Sequence, residues 1–174
     1  YVWPLKHPWF SEFVLSRWDK PFIRATRTQE LVFQGLTFEY GQQDALVLDD
    51  CINASVQGCA VRRMGGTALT VAQGANVLVY GNAFRTLGHT GMHVSGGNRK
   101  NLTSGQIVIA NNDVGDVGRC SRTYNPALLL DGCGAHVTHN HFHHAPSSAM
   151  RIEGNDHLIE YNWVDHVVQE SDDQ

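Results

Sequence analysis

One residue type returns at one phase of this chain. Asparagine occupies positions 82, 112, 140 and 162, each time inside a short run such as Val79-Tyr80-Gly81-Asn82-Ala83-Phe84 or Ile159-Glu160-Tyr161-Asn162-Trp163-Val164. Two earlier runs fit the same frame, Phe33-Gln34-Gly35-Leu36-Thr37-Phe38 and Val56-Gln57-Gly58-Cys59-Ala60-Val61. The anchors at 36, 59, 82, 112, 140 and 162 are separated by 23, 23, 30, 28 and 22 residues. A period of this size marks a chain that stacks one supersecondary unit on the next, because no single unit can bury its own apolar face. The two long steps read as loop insertions.

A second strand follows most anchors by nine residues, as in Ala45-Leu46-Val47-Leu48, Ala68-Leu69-Thr70-Val71, Gly91-Met92-His93-Val94 and Ala149-Met150-Arg151-Ile152. The fourth unit reaches the pattern later, at Ala127-Leu128-Leu129-Leu130. Strand alternation puts Leu46, Leu69, Met92, Leu128 and Met150 on one face, with Leu48, Val71, Val94, Leu130 and Ile152 beside them. Two short strands and tight turns per repeat predict an all-β fold, a right-handed parallel β-helix of about six rungs. The asparagines would form an inward ladder at a bend, and Val79, Ile109, Val137 and Ile159 one buried column. Seventeen glycines and only 17% charged residues agree with strands and turns rather than helices. A β-sandwich is the alternative, but it does not hold one residue type at one repeat phase.

Residues 1–30 do not repeat and are rich in aromatics, among them Trp3, Trp9, Phe10, Trp18 and Phe22. They are expected to cap the coil, with a sugar-stacking platform as the alternative; 31–174 are assigned to the β-helix. The sixth rung is expected to be incomplete at Gln174, so the natural chain should continue. No signal peptide is visible. The formal net charge of −4 offers no basic stripe for nucleic acid, and no apolar run approaches the ~18 residues of a membrane span. Oligomeric state is not legible. Cys51, Cys59, Cys120 and Cys133 lack metal-knuckle spacing.

The register also says which side chains face outward. Asp49, Ala72, Ser95, Asp131 and Glu153 share one column, with Val47, Thr70, His93, Leu129 and Arg151 beside it. Neighbouring rungs lie ~4.8 Å apart, so Asp131 and Glu153 should be adjacent, with Arg151 close. Asp172 and Asp173 follow Asp131 by about two rungs. Paired carboxylates are what a glycosidase needs, so Asp131, Glu153, Asp172 and Asp173 are the catalytic candidates. The inserted loops, 96–105 and 118–126, should build a binding surface. The second offers Arg122 for an acidic sugar and Tyr124 for stacking. Arg151, His143 and His144 complete the substrate-binding candidates, with Arg151, His143 and Tyr124 on the rim of the carboxylate groove. Among the histidines, His139, His141 and His143 should project outward while Asn140 and Phe142 point inward. His144 falls in phase with Asp116 and His166. The repeat supplies a column rather than a convergence of ligands, so no metal and no cofactor is expected.

The runs Tyr124-Asn125-Pro126-Ala127, His139-Asn140, Ala145-Pro146, Gly154-Asn155-Asp156-His157-Leu158-Ile159-Glu160-Tyr161-Asn162 and Glu170-Ser171-Asp172-Asp173 resemble bacterial right-handed β-helix carbohydrate-active proteins. The resemblance is to the glycoside hydrolases that include α-L-fucosidase and xylanase activities. It implies catalytic aspartates on the helix face, with Asp131 and Asp172 matching by position and Asp173 as the near alternative. It also implies a polysaccharide or oligosaccharide substrate and a secreted, periplasmic or cell-surface location. Two other functions stay open: a polysaccharide lyase or uronate epimerase, which would move the C5 proton with His or Tyr while a cation or Arg neutralises the carboxylate, and a non-catalytic carbohydrate-binding solenoid.

Overall fold

The computed structural model describes residues 14–170. Each coil has three arms rather than two, so the chain builds three parallel walls. The first wall stacks Ile23–Thr26, Leu46–Asp49, the start of Leu69–Tyr80, Met92–Gly96, Leu128–Gly132 and Met150–Ile152. The second stacks Val32–Gln34, Ile52–Gln57, the end of Leu69–Tyr80, Val108–Ala110, His136–Thr138 and Leu158–Glu160. The third stacks Thr37–Glu39, Ala60–Met64, Ala83–Leu87, Asp113–Gly115, His141–His143 and Trp163–Asp165. Six coils result, and every pairing between these strands is parallel. The third arm is hidden in sequence because a tight bend at the anchor splits what reads as one strand. Ile23–Thr26 already pairs in register with Leu46–Asp49, so stacking begins ahead of residue 31. Among the described residues no helix is long and apolar enough to cross a membrane.

The bend has a chemical cause. The residue before each anchor sits in left-handed backbone: Gly35, Gly58 and Gly81, then Asn111, His139 and Tyr161 at φ of 57°, 54° and 54°. Glycine takes this conformation freely and asparagine tolerates it. The anchor side chain then turns inward. Asn112 Nδ2 donates to Val79 O at 2.9 Å and to Asn140 Oδ1 at 2.9 Å, while its Oδ1 accepts from Asn82 N at 3.0 Å and Asn82 Nδ2 at 2.8 Å. The same pattern carries on through Asn140 to Asn162. Asn82, Asn112 and Asn140 are buried, and the ladder satisfies them fully, which is the condition for keeping amides inside a core.

Around the ladder the interior is apolar. Leu46, Leu69, Met92 and Leu128 form one buried stack, and Val79, Ile109 and Val137 another; Met150 and Ile159, at the last coil, are half-buried. Each buried side chain of this size contributes roughly 1.5–3 kcal/mol. Phe84 and Phe142 flank Val114 across the third wall and are fully enclosed. Val47, on the outward column of the first wall, is buried as well, at 5% exposure.

Candidate functional site

The outward face of the third wall carries two columns. The residue after each anchor gives Thr37, Ala60, Ala83, Asp113, His141 and Trp163 in register. Two residues on, the column runs Glu39, Arg62, Arg85, Gly115, His143 and Asp165. Its first members are ion-paired, Arg62 to Glu39 and Arg85 to Asp113. Gly115 leaves a vacancy in the second column, and the His143 ring fills it: a Cβ on Gly115 would lie 2.2 Å from that ring. His143 thereby becomes buried and brings its Nε2 to 2.8 Å from Asp113 Oδ1.

His141 stands beside this pair. Its Nδ1 lies 3.7 Å from Asp113 Oδ1, and its Nε2 lies 2.9 Å from Asp165 Oδ2 on the next coil. The Trp163 ring stacks on it, centroids 4.4 Å apart and 15° from parallel. His143 Nδ1 sits 2.7 Å from His144 Nδ1. His144 in turn stacks on His166 at 4.7 Å, and His166 Nδ1 lies 2.7 Å from Asp165 Oδ1. With Nε2–H of His143 donating to Asp113, its Nδ1 accepts from His144.

The charge states follow from these contacts. Burial pushes the His143 imidazole below its ordinary value, and the bond to Asp113 only partly opposes this. For Asp113 burial acts upward, but the bonds from His143 and Arg85 and their charges outweigh it and hold the carboxyl below the usual range. Asp165 is held low by its bonds to His166 and then His141. At neutral pH Asp113 and Asp165 are therefore ionised, and the buried His143 imidazole beside Asp113 is neutral.

The cluster opens into a trough. A cavity of about 480 Å³ is lined by Asn111, Asn112, Asp113, His139, Asn140, His141, Tyr161 and Trp163. A second, of about 460 Å³, runs over Gln34, Gly35, Gln57, Gly58, Tyr80 and Gly81 and shares Asn111 with the first. Together they follow the anchor bend along the coil axis. Tyr161 and Trp163 present 75% and 65% of their surface there, which suits stacking on sugar faces.

The carboxylates singled out from the sequence stand elsewhere. Asp131 is on the first wall, adjacent in register to Ser95, with Arg99 Nη1 3.3 Å from its Oδ1 and Gly132 N donating to the same oxygen at 2.6 Å. It borders a cavity of about 400 Å³ shared with Gln73, Asn98, Arg99 and Lys100. Glu153 follows on the next coil and pairs with Arg151 at 2.7 Å. Arg122 is held by both carboxylate oxygens of Glu170 across the second loop, and Tyr124 is an exposed member of that loop. Asp172 and Asp173 lie outside the described residues.

A single groove with Asp131 and Glu153 on one side and His143 on its rim is therefore not formed. The first two are on the first wall and His143 is on the third. His144 does align with Asp116 and His166, all three in left-handed backbone at one phase. The expectation of a histidine column without convergence is corrected: Asp113, His141 and His143 bring one ligand atom each to within 4.8 Å of one another. Asp113, Asp165, Arg85, Tyr161 and Trp163 were passed over in the sequence. Their signal was their phase, one or three residues past an anchor for Asp113, Trp163, Arg85 and Asp165 and one before it for Tyr161, together with the lone glycine at 115.

Residues 21–171 match the family model for a right handed beta helix region. No curated protein matches the chain. Among solved structures it is similar to the A-module of the mannuronan C-5 epimerase AlgE4 of Azotobacter vinelandii, at 12% identity and a TM-score of 0.40. That likeness covers 79% of this chain and 56% of the other, so the chain spans little more than half the length of that module.

Proposed function

Because the chain belongs to the right-handed β-helix family, we propose that its trough holds an acidic polysaccharide and that the third-wall cluster moves the proton at C5 of a uronate. The outcome is lyase or epimerase chemistry. The observation that carries this reading is the opening of the Asp113–His141–His143 cluster into a trough walled by Tyr161 and Trp163. A sugar ring stacks on these aromatics while Asn111 and His139 offer polar contacts. The carboxylate of the sugar faces the Arg85 guanidinium, which offsets its charge, and accepts hydrogen bonds from the imidazoles. The C5 proton passes to an imidazole nitrogen lining the trough, and proton transfer by a positioned group contributes about 10²–10⁴-fold. The C5 carbanion then either expels the C4 oxygen, which leaves protonated as the C4–C5 double bond forms, or takes a proton back on the opposite face. Acting on a polysaccharide, the protein works in a secreted, periplasmic or cell-surface setting.

Glycoside hydrolysis needs one carboxyl kept protonated as the acid. Asp113 and Asp165 are held ionised instead. One observation favours a hydrolase as the second reading: Asp131, which borders a cavity, and Glu153 occupy adjacent coils of the first wall. Product analysis separates the two. Polyuronates should give an unsaturated, ultraviolet-absorbing product or an inverted uronate, and His141→Gln should lower that turnover at least ~100-fold while Asp131→Asn leaves it unchanged. New reducing ends without either change, abolished by Asp131→Asn, would replace this reading with the hydrolase.

A further inference from the structure

Three ligand atoms converge on the third wall: Asp113 Oδ1, His141 Nδ1 and His143 Nε2, with the two nitrogens 3.7 and 2.8 Å from the shared oxygen. A tetrahedral ion with bonds of ~2.0–2.1 Å holds its ligand atoms about 3.3 Å apart. The observed spacings bracket that value, so side-chain shifts of about half an ångström would close the site around an ion.

The far side of each imidazole is already engaged. His141 Nε2 faces Asp165 Oδ2 at 2.9 Å, and His143 Nδ1 faces His144 Nδ1 at 2.7 Å. Ligating histidines commonly hold their other ring nitrogen in this way, which fixes the ring plane; with Nε2 on an ion, His143 would carry its proton on Nδ1 and donate to His144. Asp113 commits its Oδ2 to Arg85 and keeps Oδ1 toward the imidazoles. His143 is only 6% exposed at its side chain, so the position is sheltered on one side and reached from the trough on the other.

We propose that Asp113, His141 and His143 bind one divalent first-row transition-metal ion, leaving a coordination position open to the trough. Two imidazoles and one carboxylate suit zinc, iron, cobalt or nickel, whereas calcium and magnesium prefer all-oxygen shells. Binding stands on this geometry alone. That the open position receives a uronate carboxylate is the one part that rests on the proposed function.

The test is calorimetric titration of the chelator-treated, refiltered protein with zinc, without any sugar. One equivalent should bind saturably. His143→Ala and Asp113→Asn should each weaken binding at least ~10-fold, and Asp165→Asn should weaken it by ~10–100-fold through His141. His166→Ala, which touches the neighbouring His144–Asp165–His166 group, should change the affinity less than ~3-fold. Cobalt should give the absorption of a tetrahedral or five-coordinate centre. Circular dichroism in chelator confirms that each variant folds; if His143→Ala does not, His141→Gln takes its place. No saturable binding by the wild type overturns the proposal. So does binding that survives Asp113→Asn but is lost in His166→Ala. Neither result touches the polysaccharide reading, and failure on polyuronates would not touch the metal site.

Discussion

His143 Nε2 lies 2.8 Å from Asp113 Oδ1 although the two are out of phase: in register Asp113 faces His141, and His143 faces Gly115. The contact exists because position 115 has no side chain.

Gly115→Ala tests that dependence. Its Cβ would stand 2.2–2.6 Å from three atoms of the His143 ring, so the ring must leave the vacancy. The expected cost is about 1–3 kcal/mol of overpacking, read by urea denaturation. The imidazole of His143, released from burial, should titrate closer to its ordinary value by NMR. An unchanged midpoint and an unchanged His143 resonance would show that the vacancy is not what places it.

The asparagine ladder should dominate local stability. Asn112→Ala removes an acceptor used by Asn82 N and Asn82 Nδ2 and strands Val79 O. A loss of about 2–4 kcal/mol is expected, since buried groups left without partners cost roughly 1–3 kcal/mol each. Asn162→Ala, at the half-buried last anchor, should cost less than half as much. Equal losses at the two positions would argue against burial as the reason the ladder matters.

Thiol reactivity should split one from three. All four cysteines are free, and only Cys120 is exposed. Burial pushes the Cys133 thiol up, with the nearby Asp156 carboxylate acting in the same direction, and the thiolate is the reacting form. Under native conditions a disulfide reagent should consume one thiol quickly, and the other three only on unfolding. Fast reaction of two or more would mean the coil interior opens readily.

The coil was legible from the sequence and the site was not. The asparagine phase and the Leu46–Leu69–Met92–Leu128 stack located the core, because period-2 burial and a fixed repeat leave little freedom. The split of each first strand into two arms stayed hidden, since a single left-handed residue such as Gly81 or Tyr161 makes the corner. Asp131 and Glu153 lie on the first wall with Arg151 beside Glu153, a neighbour the spacing carried, whereas the pairing of Asp131 with Arg99 depends on loop geometry that spacing does not carry. The cluster depended on His143 folding across Gly115, a contact between phases.

Trp163 should act on sugar and not on folding. It is largely exposed and stacks on His141. Trp163→Ala should weaken oligouronate binding by about 3–10-fold, the equivalent of ~0.5–1.5 kcal/mol of ring stacking, while the thermal midpoint moves little. A large drop in midpoint with unchanged binding would reassign Trp163 to structure.

Proton NMR of a polyuronate incubated with the protein in deuterium oxide tests the central claim most directly. Both elimination and epimerisation remove the hydrogen at C5. The account predicts loss of the C5 proton signal, by exchange for deuterium or by formation of a C4–C5 double bond, and none of this with His141→Gln. An intact C5 signal accompanied by new reducing ends would contradict it.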